Sequence, residues 1–165
     1  MNRYLTGAAL IAACIGTSGA TARWEYGETK DAMSDAKYAR TFADGDTGAL
    51  GVKCDPPGGA NSLYIHYVSK DYLGGGGGRP ARRDLMVRFD EDAPQTGSWS
   101  YDGRGAILTS DKAVWAFVER LERAKQIAVR ATTYDYKLVT TVIDVTGAKE
   151  EIAKVVEACG AMRPA

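Results

Sequence analysis

The sequence predicts an α+β fold: an antiparallel, β-sandwich-like sheet flanked by two helices and held by one disulfide. Most of the chain consists of short segments in which apolar and polar residues alternate, which is the period of a strand. Two segments instead repeat their apolar residues at the helical period. The order is strands, helix, strands, helix, and it favours an α+β arrangement over repeated βαβ units.

The composition is that of one globular domain without an obvious charged partner. The chain has 165 residues, of which 45% are hydrophobic, and its 21 basic side chains balance 21 acidic ones. A nucleic-acid-binding protein normally has a basic excess, because neutralising phosphates supplies much of its affinity. One His and three Cys are too few ligands for a structural zinc cluster. We therefore expect no nucleic-acid partner, no metal and no cofactor.

The first 22 residues have the pattern of a secretory signal peptide. Arg3 is the one charged residue among them, an apolar run covers residues 4–15, and Ala20-Thr21-Ala22 forms an A-x-A cleavage site. The run is shorter than the roughly 20 residues that a membrane-spanning helix needs. We expect a signal peptide at 1–22 and a single exported domain at 23–165, periplasmic or secreted. A buried N-terminal helix is the alternative.

Cys14 leaves a second processing route open. Residues 11–14 read Ile-Ala-Ala-Cys and resemble a bacterial lipobox, in which Cys14 would become a lipid-anchored N-terminus. Either route leaves no transmembrane segment after cleavage.

The two remaining cysteines predict one disulfide. Cys54 follows Val52 at strand spacing, and Cys159 follows Ile152 and Val155 at helical spacing, so both sulfurs should point into one core. An even pair of cysteines in an exported domain is typical of a disulfide. Two buried free thiols are the alternative.

Seven segments carry the strand pattern, and turn signals such as Asp102-Gly103 separate them. In chain order they are residues 24–26, 50–54, 63–67, 85–89, 99–101, 127–131 and 139–145.

Two segments have helical spacing. The first covers 111–125, with Val114, Phe117 and Leu121 on one face and Asp111 as the N-cap. The second covers 148–159 and ends at Gly160, a residue type that commonly follows a helix.

Residues 74–78 are five consecutive glycines, which predict a mobile loop that folding does not need. Arg79, Arg82 and Arg83 follow the glycines and are a candidate interaction cluster for an anionic surface such as phospholipid head groups. A solvated loop is the alternative, since the net charge near zero gives the cluster no supporting field.

The candidates for catalysis are few. His66, the only histidine, should lie on the face of its strand opposite the core, and neither a Gly-x-Ser-x-Gly motif nor a free Cys accompanies it. The acidic clusters at 31–35 and 90–92 could supply the carboxylate pair of a cell-wall hydrolase, or could be solvated loops. We therefore expect no catalytic residues.

Two tryptophans differ in what they indicate. Trp115 lies beside the apolar stripe of the first helix and is expected in the core. Trp99 is a candidate interaction residue that could bind sugar or peptide on an exposed sheet, although an inward position is usual for tryptophan in a small sandwich.

Several short sequence pieces occur in an order that is itself informative. They are Trp24, Asp31-Ala32-Met33-Ser34-Asp35, Cys54, Tyr72-Leu73, Arg88-Phe89-Asp90, Trp99 and the terminal Thr146-Gly147-Ala148 and Ala158-Cys159. This order resembles the VasI/TagO-like family of periplasmic proteins associated with bacterial type VI secretion, over nearly all of the exported chain. The chain departs from the family after Cys159, where the expected aromatic residue is missing. The resemblance implies a small exported accessory domain and supplies no catalytic residues.

These observations favour a non-enzymatic accessory or interaction protein of the cell envelope with a protein partner. A cell-wall hydrolase or other envelope enzyme is the first alternative. A periplasmic inhibitor, which would need a protruding, ordered loop, is the second.

Overall fold

A computed structural model of the protein describes residues 23–55, 63–75 and 81–161. The expected signal peptide, the lipid-anchor position Cys14 and the interaction candidate Arg79 lie outside the described residues.

The described chain forms nine strands and two helices. The strands are β1 (Trp24–Lys30), β2 (Lys37–Asp44), β3 (Gly48–Cys54), β4 (Leu63–Ser69), β5 (Ala81–Phe89), β6 (Gln95–Asp102), β7 (Gly105–Leu108), β8 (Gln126–Thr132) and β9 (Leu138–Asp144). Helix α1 (Asp111–Leu121) lies between β7 and β8, and α2 (Ala148–Cys159) follows β9. All strands belong to one antiparallel sheet in the order β1-β2-β3-β4-β7-β6-β5-β8-β9. The predicted fold class is confirmed.

The sheet curls until its last strand approaches β2 and β3. Gly45, in the β2–β3 turn, forms an antiparallel bridge with Ile143 of β9. The hydroxyl of Thr141 on β9 lies 2.6 Å from Tyr67 Oη on β4 and 2.6 Å from Thr47 Oγ1. The curled sheet therefore encloses one face of nearly every strand, and this inner face forms the core.

The core is built from alternating positions of the strands and one stripe of each helix. Its largest fully buried side chains are Leu50, Ile65, Tyr67, Leu73, Leu85, Tyr101, Leu121, Ile127, Ile143 and Ile152. Burial of this apolar surface supplies the main driving force for folding.

The helices cover different parts of the sheet. Phe117 of α1 packs edge-on against Phe89 and Trp99, with ring centroids 5.1 and 5.7 Å apart. Helix α1 ends at Leu121 rather than at 125, and its N-cap is Ser110 rather than Asp111. Helix α2 packs on β2 and β3 and ends, as predicted, before Gly160, whose φ is +59°.

The predicted disulfide between Cys54 and Cys159 is present. It joins the end of β3 to the end of α2 across 105 positions of sequence, with the two Cα atoms 6.3 Å apart. Trp24 of β1 contacts the start of the same helix, because its indole N–H donates to the carbonyl of Thr146 just before α2.

Two strands lacked a signal in the sequence. The inward side chains of β2 are Ala39, Thr41 and Ala43, which are too small or polar to produce apolar alternation. Strand β7 has four residues, too few to show a period.

The first two residues of the glycine run are packed against the domain, which differs from the prediction of a mobile loop. Gly74 is buried and its N–H donates to the carbonyl of Gly103 at 3.2 Å. Gly75 has a φ of +81°, and a Cβ there would stand 2.2 Å from the carbonyl oxygen of Tyr101. Residues 76–78 lie outside the described residues.

Loss of the disulfide should weaken the domain strongly. Cross-linking residues this far apart restricts the unfolded chain by about 4–5 kcal/mol in the chain-entropy model. We therefore expect Cys159→Ser to lower Tm by on the order of 10 °C, measured by circular dichroism. Ala153→Ser, a change at an exposed position of α2 that keeps the bond, should have little effect. Two free thiols per denatured, oxidised wild-type chain would contradict the bond.

Gly75→Ala should destabilise the domain more than Gly103→Ala. Both positions have positive φ, which costs an L-residue roughly 1–2 kcal/mol, but a Cβ at Gly103 meets no atom within 4 Å. The extra loss at Gly75 comes from the clash with Tyr101. Urea unfolding of the two variants measures the difference, and equal losses would show that Gly75 is not packed as described.

Candidate functional site

The first acidic cluster is used to shape a turn. The carboxylate of Asp31 accepts hydrogen bonds from the N–H groups of Met33 and Ser34 and from the Ser34 hydroxyl, at 2.7–2.9 Å. These bonds lower the pKa of Asp31. Asp35 forms an exposed ion pair with Lys30 at 2.7 Å. Both carboxylates therefore stabilise the connection between β1 and β2.

The second acidic cluster is likewise engaged in local structure. Asp90 Oδ1 accepts from the N–H groups of Lys125 and Gln126, which fixes the start of β8 against the end of β5. Asp92 pairs with Arg120 of α1 at 3.0 Å. The two clusters lie in different hairpins, β1–β2 and β5–β6, which stand at separate places in the sheet.

His66 lies on the outer face of β4, as predicted. Its Nδ1 is buried and has no hydrogen-bond partner among the described residues. Phe42 packs edge-on against it at 6.1 Å, and a Cβ on Gly105 would stand 2.7 Å from its Nε2. Burial, with a smaller contribution from the positive charge of Lys53, lowers the pKa of His66 to about 4. The ring is thus a neutral packing group at pH 7.

The two described arginine candidates, Arg82 and Arg83, do not form one patch. Arg82 and Arg83 are consecutive residues of β5, so their side chains leave opposite faces of the strand. Arg83 donates to the carbonyl of Leu73 at 3.2 Å and lies 5.8 Å from the ring centre of Tyr101. Arg83 therefore packs the segment before the glycine run, while Arg82 is exposed.

Trp99 is not displayed on an exposed sheet. Its side chain faces α1 and only 3% of the residue is exposed, so the inward position is confirmed. Trp115 is buried, as predicted.

Neither a metal centre nor a membrane span is found in the described ranges. Residues 23–55, 63–75 and 81–161 contain no group of three or more His, Cys, Asp or Glu placed to hold a metal ion. The helices within these ranges are too short or too polar to cross a bilayer.

The most distinctive surface is a group of exposed tyrosines that the sequence analysis missed. Seven large apolar side chains are exposed in the described part of the chain, and five of them belong to the β8–β9 hairpin or to the neighbouring Tyr72. We call Tyr72, Tyr134, Tyr136 and Leu138 the tyrosine surface; 49% to 83% of each residue is exposed. Exposed apolar groups concentrated in one place commonly mark an interaction site.

Several hydrogen bonds and an ion pair hold the turn between β8 and β9. The buried hydroxyl of Thr133 donates to Asp135 Oδ1 at 2.5 Å and accepts from the Lys137 N–H at 3.0 Å. Lys137 also forms an ion pair with Asp135 at 2.6 Å, and these contacts lower the pKa of Asp135. Tyr136 has a φ of +63°, a left-handed conformation that non-glycine residues seldom adopt. The turn therefore holds its two tyrosines outward.

Tyr72 ties the turn to the segment after β4. The N–H of Tyr134 donates to the carbonyl of Tyr72 at 3.0 Å, and the two rings lie 5.7 Å apart at 58°. The hydroxyl of Tyr72 donates to the carbonyl of Gly75 at 2.6 Å. A shallow hollow of about 350 Å³ lies between these segments. In the sequence, the tyrosine surface is indicated by two tyrosines that flank Asp135 in a turn.

Comparison with known proteins found no matching family model, no matching curated protein and no matching solved structure.

The burial of His66 makes the protein less stable in mild acid. The unfolded imidazole titrates near 6.5, so between about pH 6.5 and 4 the unfolded chain binds a proton that the folded chain does not. Stability contributed by neutral His66 is therefore complete above about pH 6.5 and is lost as the pH falls.

An NMR titration of the single histidine tests this. We expect the His66 ring resonances to titrate with a midpoint near 4, and His66→Gln to reduce the fall in Tm between pH 7 and 5. A midpoint near 6.5 would show that the ring is solvated.

Proposed function

We propose that this protein is a non-enzymatic, exported accessory or interaction protein of the cell envelope, and that the tyrosine surface binds its protein partner. The single observation that carries the proposal is the display of Tyr134 and Tyr136 by a turn whose conformation is already fixed. Export and the type VI secretion role belong to the proposal through the signal-peptide pattern and the family resemblance.

Tyrosine suits this role because its ring buries a large area while its hydroxyl remains a hydrogen-bond group. Tyrosine, tryptophan and arginine dominate the residues that supply most of the binding energy in protein interfaces. Leu138, exposed beside the turn, adds apolar area to the same surface.

The fixed turn reduces the entropy that binding must overcome. Ordering a side chain and its loop on association costs about 0.5–1.5 kcal/mol for each immobilised residue. Thr133 and Asp135 already hold the backbone of the turn, and Tyr72 already contacts Tyr134. Much of this ordering is therefore complete before a partner arrives.

The disulfide supports export. Cys54 and Cys159 are bonded, and such bonds persist in oxidising compartments and are rare in the cytosol.

The hydrolase alternative receives no support from the acidic clusters. Asp31 and Asp90 accept backbone hydrogen bonds in separate turns, and Asp35 and Asp92 are in ion pairs with basic side chains. A glycosidase instead needs two carboxyl groups that flank one bond, about 5–10 Å apart.

The inhibitor alternative shares the same surface. An inhibitor inserts an ordered, exposed loop into its target, and the turn from Thr133 to Lys137 has that order and exposure. The two functions differ in whether the partner is an enzyme that loses activity on binding.

Site-specific photocross-linking tests the proposal. Tyr136 is replaced by the photoreactive residue p-benzoylphenylalanine in the cells that produce the protein, and Tyr26, an exposed tyrosine on β1, is replaced as the control. We expect one defined adduct at position 136 that is absent at position 26. Mass spectrometry then identifies the partner, which is purified for affinity measurements.

The affinity of the purified pair gives the decisive result. We expect Tyr134→Ser with Tyr136→Ser to weaken binding at least 100-fold, and Tyr26→Ser to leave it unchanged, with all variants retaining the wild-type Tm. Unchanged affinity of the double variant, or release of soluble muropeptides from peptidoglycan by the purified protein, would contradict the proposal.

A further inference from the structure

A second concave surface lies between helix α1 and strands β5 and β6, away from the β8–β9 turn. It has a volume of about 240 Å³. We call it the Trp99 groove; the lining residues that matter here are Phe89, Gly97, Trp99, Ala116, Phe117 and Arg120.

The walls of the groove are aromatic and its opening is formed by small residues. Phe89, Trp99 and Phe117 are buried and meet edge to face. Gly97 on β6 and Ala116 on α1 carry little or no side chain, which leaves the space between helix and sheet unfilled. An apolar group entering this space would leave water and contact three aromatic rings.

The groove contains a hydrogen-bond donor that the described protein leaves unused. The indole N–H of Trp99 donates to no acceptor among the described residues; the residue is only 3% exposed, but its nitrogen is not one of the fully buried polar atoms without a partner, so water reaches it. Its Nε1 lies 3.6 Å from the place where a Cβ on Gly97 would stand, so it faces the open side of the groove. Trp24, by contrast, donates its N–H to a carbonyl at 3.1 Å. An acceptor on a ligand would therefore take the place of water at this nitrogen.

A cation stands at the rim of the same groove. The guanidinium of Arg120 lies 4.4 Å from the ring centre of Phe89 and donates to Gln95 and to Asp92. Guanidinium carries five N–H donors, so two acceptors leave several free. The pair with Asp92 is partly exposed and such pairs contribute little to stability, so a ligand carboxylate can compete with Asp92 for the guanidinium.

We infer that the Trp99 groove binds a medium-chain fatty acid. The acyl chain lies against Phe89 and Phe117, and its carboxylate accepts hydrogen bonds from Trp99 Nε1 and from Arg120. The volume of about 240 Å³ is below the usual range for drug-sized ligands, roughly 300–1,000 Å³, and therefore favours a medium-length over a long acyl chain.

The structure favours a fatty acid over a peptide. Strand β6 is hydrogen-bonded to β5 and β7, and β5 is hydrogen-bonded to β6 and β8, so both strands under the groove have neighbours on each side. An extended peptide would bury a series of backbone N–H and carbonyl groups with few partners. A fatty acid has a single polar end, which matches one indole N–H and one guanidinium.

The three tryptophan indole N–H groups allow a direct test by NMR. The full exported chain is labelled with ¹⁵N-tryptophan, the Trp99 signal is assigned with Trp99→Phe, and sodium decanoate is added. We expect the Trp99 signal to shift with saturable binding and a Kd below about 1 mM, while the Trp24 signal stays in place.

Matched variants separate binding in the groove from nonspecific uptake. Ala116→Leu fills the groove and should weaken decanoate binding at least tenfold. Ala153→Leu makes the same change at an exposed alanine of α2 and should leave it unaltered. Arg120→Gln, like methyl decanoate used with the wild-type chain, removes the charge pairing and should also weaken binding.

Several results would overturn the inference. They are a Trp99 signal that does not shift, equal shifts of the Trp24 and Trp99 signals, and unaltered binding by Ala116→Leu. A short leucine-terminated peptide that binds the groove more tightly than decanoate would replace the fatty acid as the ligand class. None of these outcomes bears on the tyrosine surface, because the two sites share no residue.

Discussion

Thr141 is the residue at which the curled sheet meets itself. It is fully buried, and its hydroxyl contacts both Tyr67 Oη and Thr47 Oγ1 at 2.6 Å. Strand β9 is last in the sheet, and an edge strand with nothing beside it would leave the core open along its length. The hydroxyl contacts, together with the bridge between Gly45 and Ile143, hold β9 against the β2–β3 side. Buried hydroxyl groups stabilise a structure only when each has a hydrogen-bond partner. The positions of these three hydroxyls relative to one another are therefore tightly constrained.

Both candidate sites depend on this closure. The β8–β9 turn displays its tyrosines where it does because β9 is fixed along its length, and the contact of Tyr134 with Tyr72 requires the segment after β4 to be nearby. In another part of the sheet, α1 rests on β5 and β6 through Phe117, and the small residues beside that contact create the Trp99 groove. The disulfide gives α2 a covalent link to β3, whereas α1 is held by its aromatic packing and by the polar contacts of Arg120.

The parts of this fold that the sequence predicted are those in which large apolar residues repeat at a clear period. Both helices, seven strands and the disulfide belong to this group. Strand β2 could not be predicted because Thr41 and two alanines occupy its inner face, and their burial follows from neighbouring strands. The tyrosine surface could not be predicted from the sequence either. A tyrosine in a turn can face either the core or solvent, and only the hydrogen bonds of Thr133 determine that Tyr134 and Tyr136 face outward. The unused N–H of Trp99 depends on what surrounds the indole in three dimensions, which spacing along the chain does not reveal.

A double-mutant cycle on Tyr67 and Thr141 tests the closure most directly. Tyr67→Phe and Thr141→Val each remove one hydroxyl of the buried contact, and urea unfolding gives the free energy of unfolding of both single variants and the double variant. Because each single change leaves the other hydroxyl short of a partner, we expect the double variant to lose less than the sum of the two, with a coupling of about 1 kcal/mol. Purely additive losses would show that the two hydroxyls do not depend on each other, and would contradict the account of a sheet held closed at Thr141.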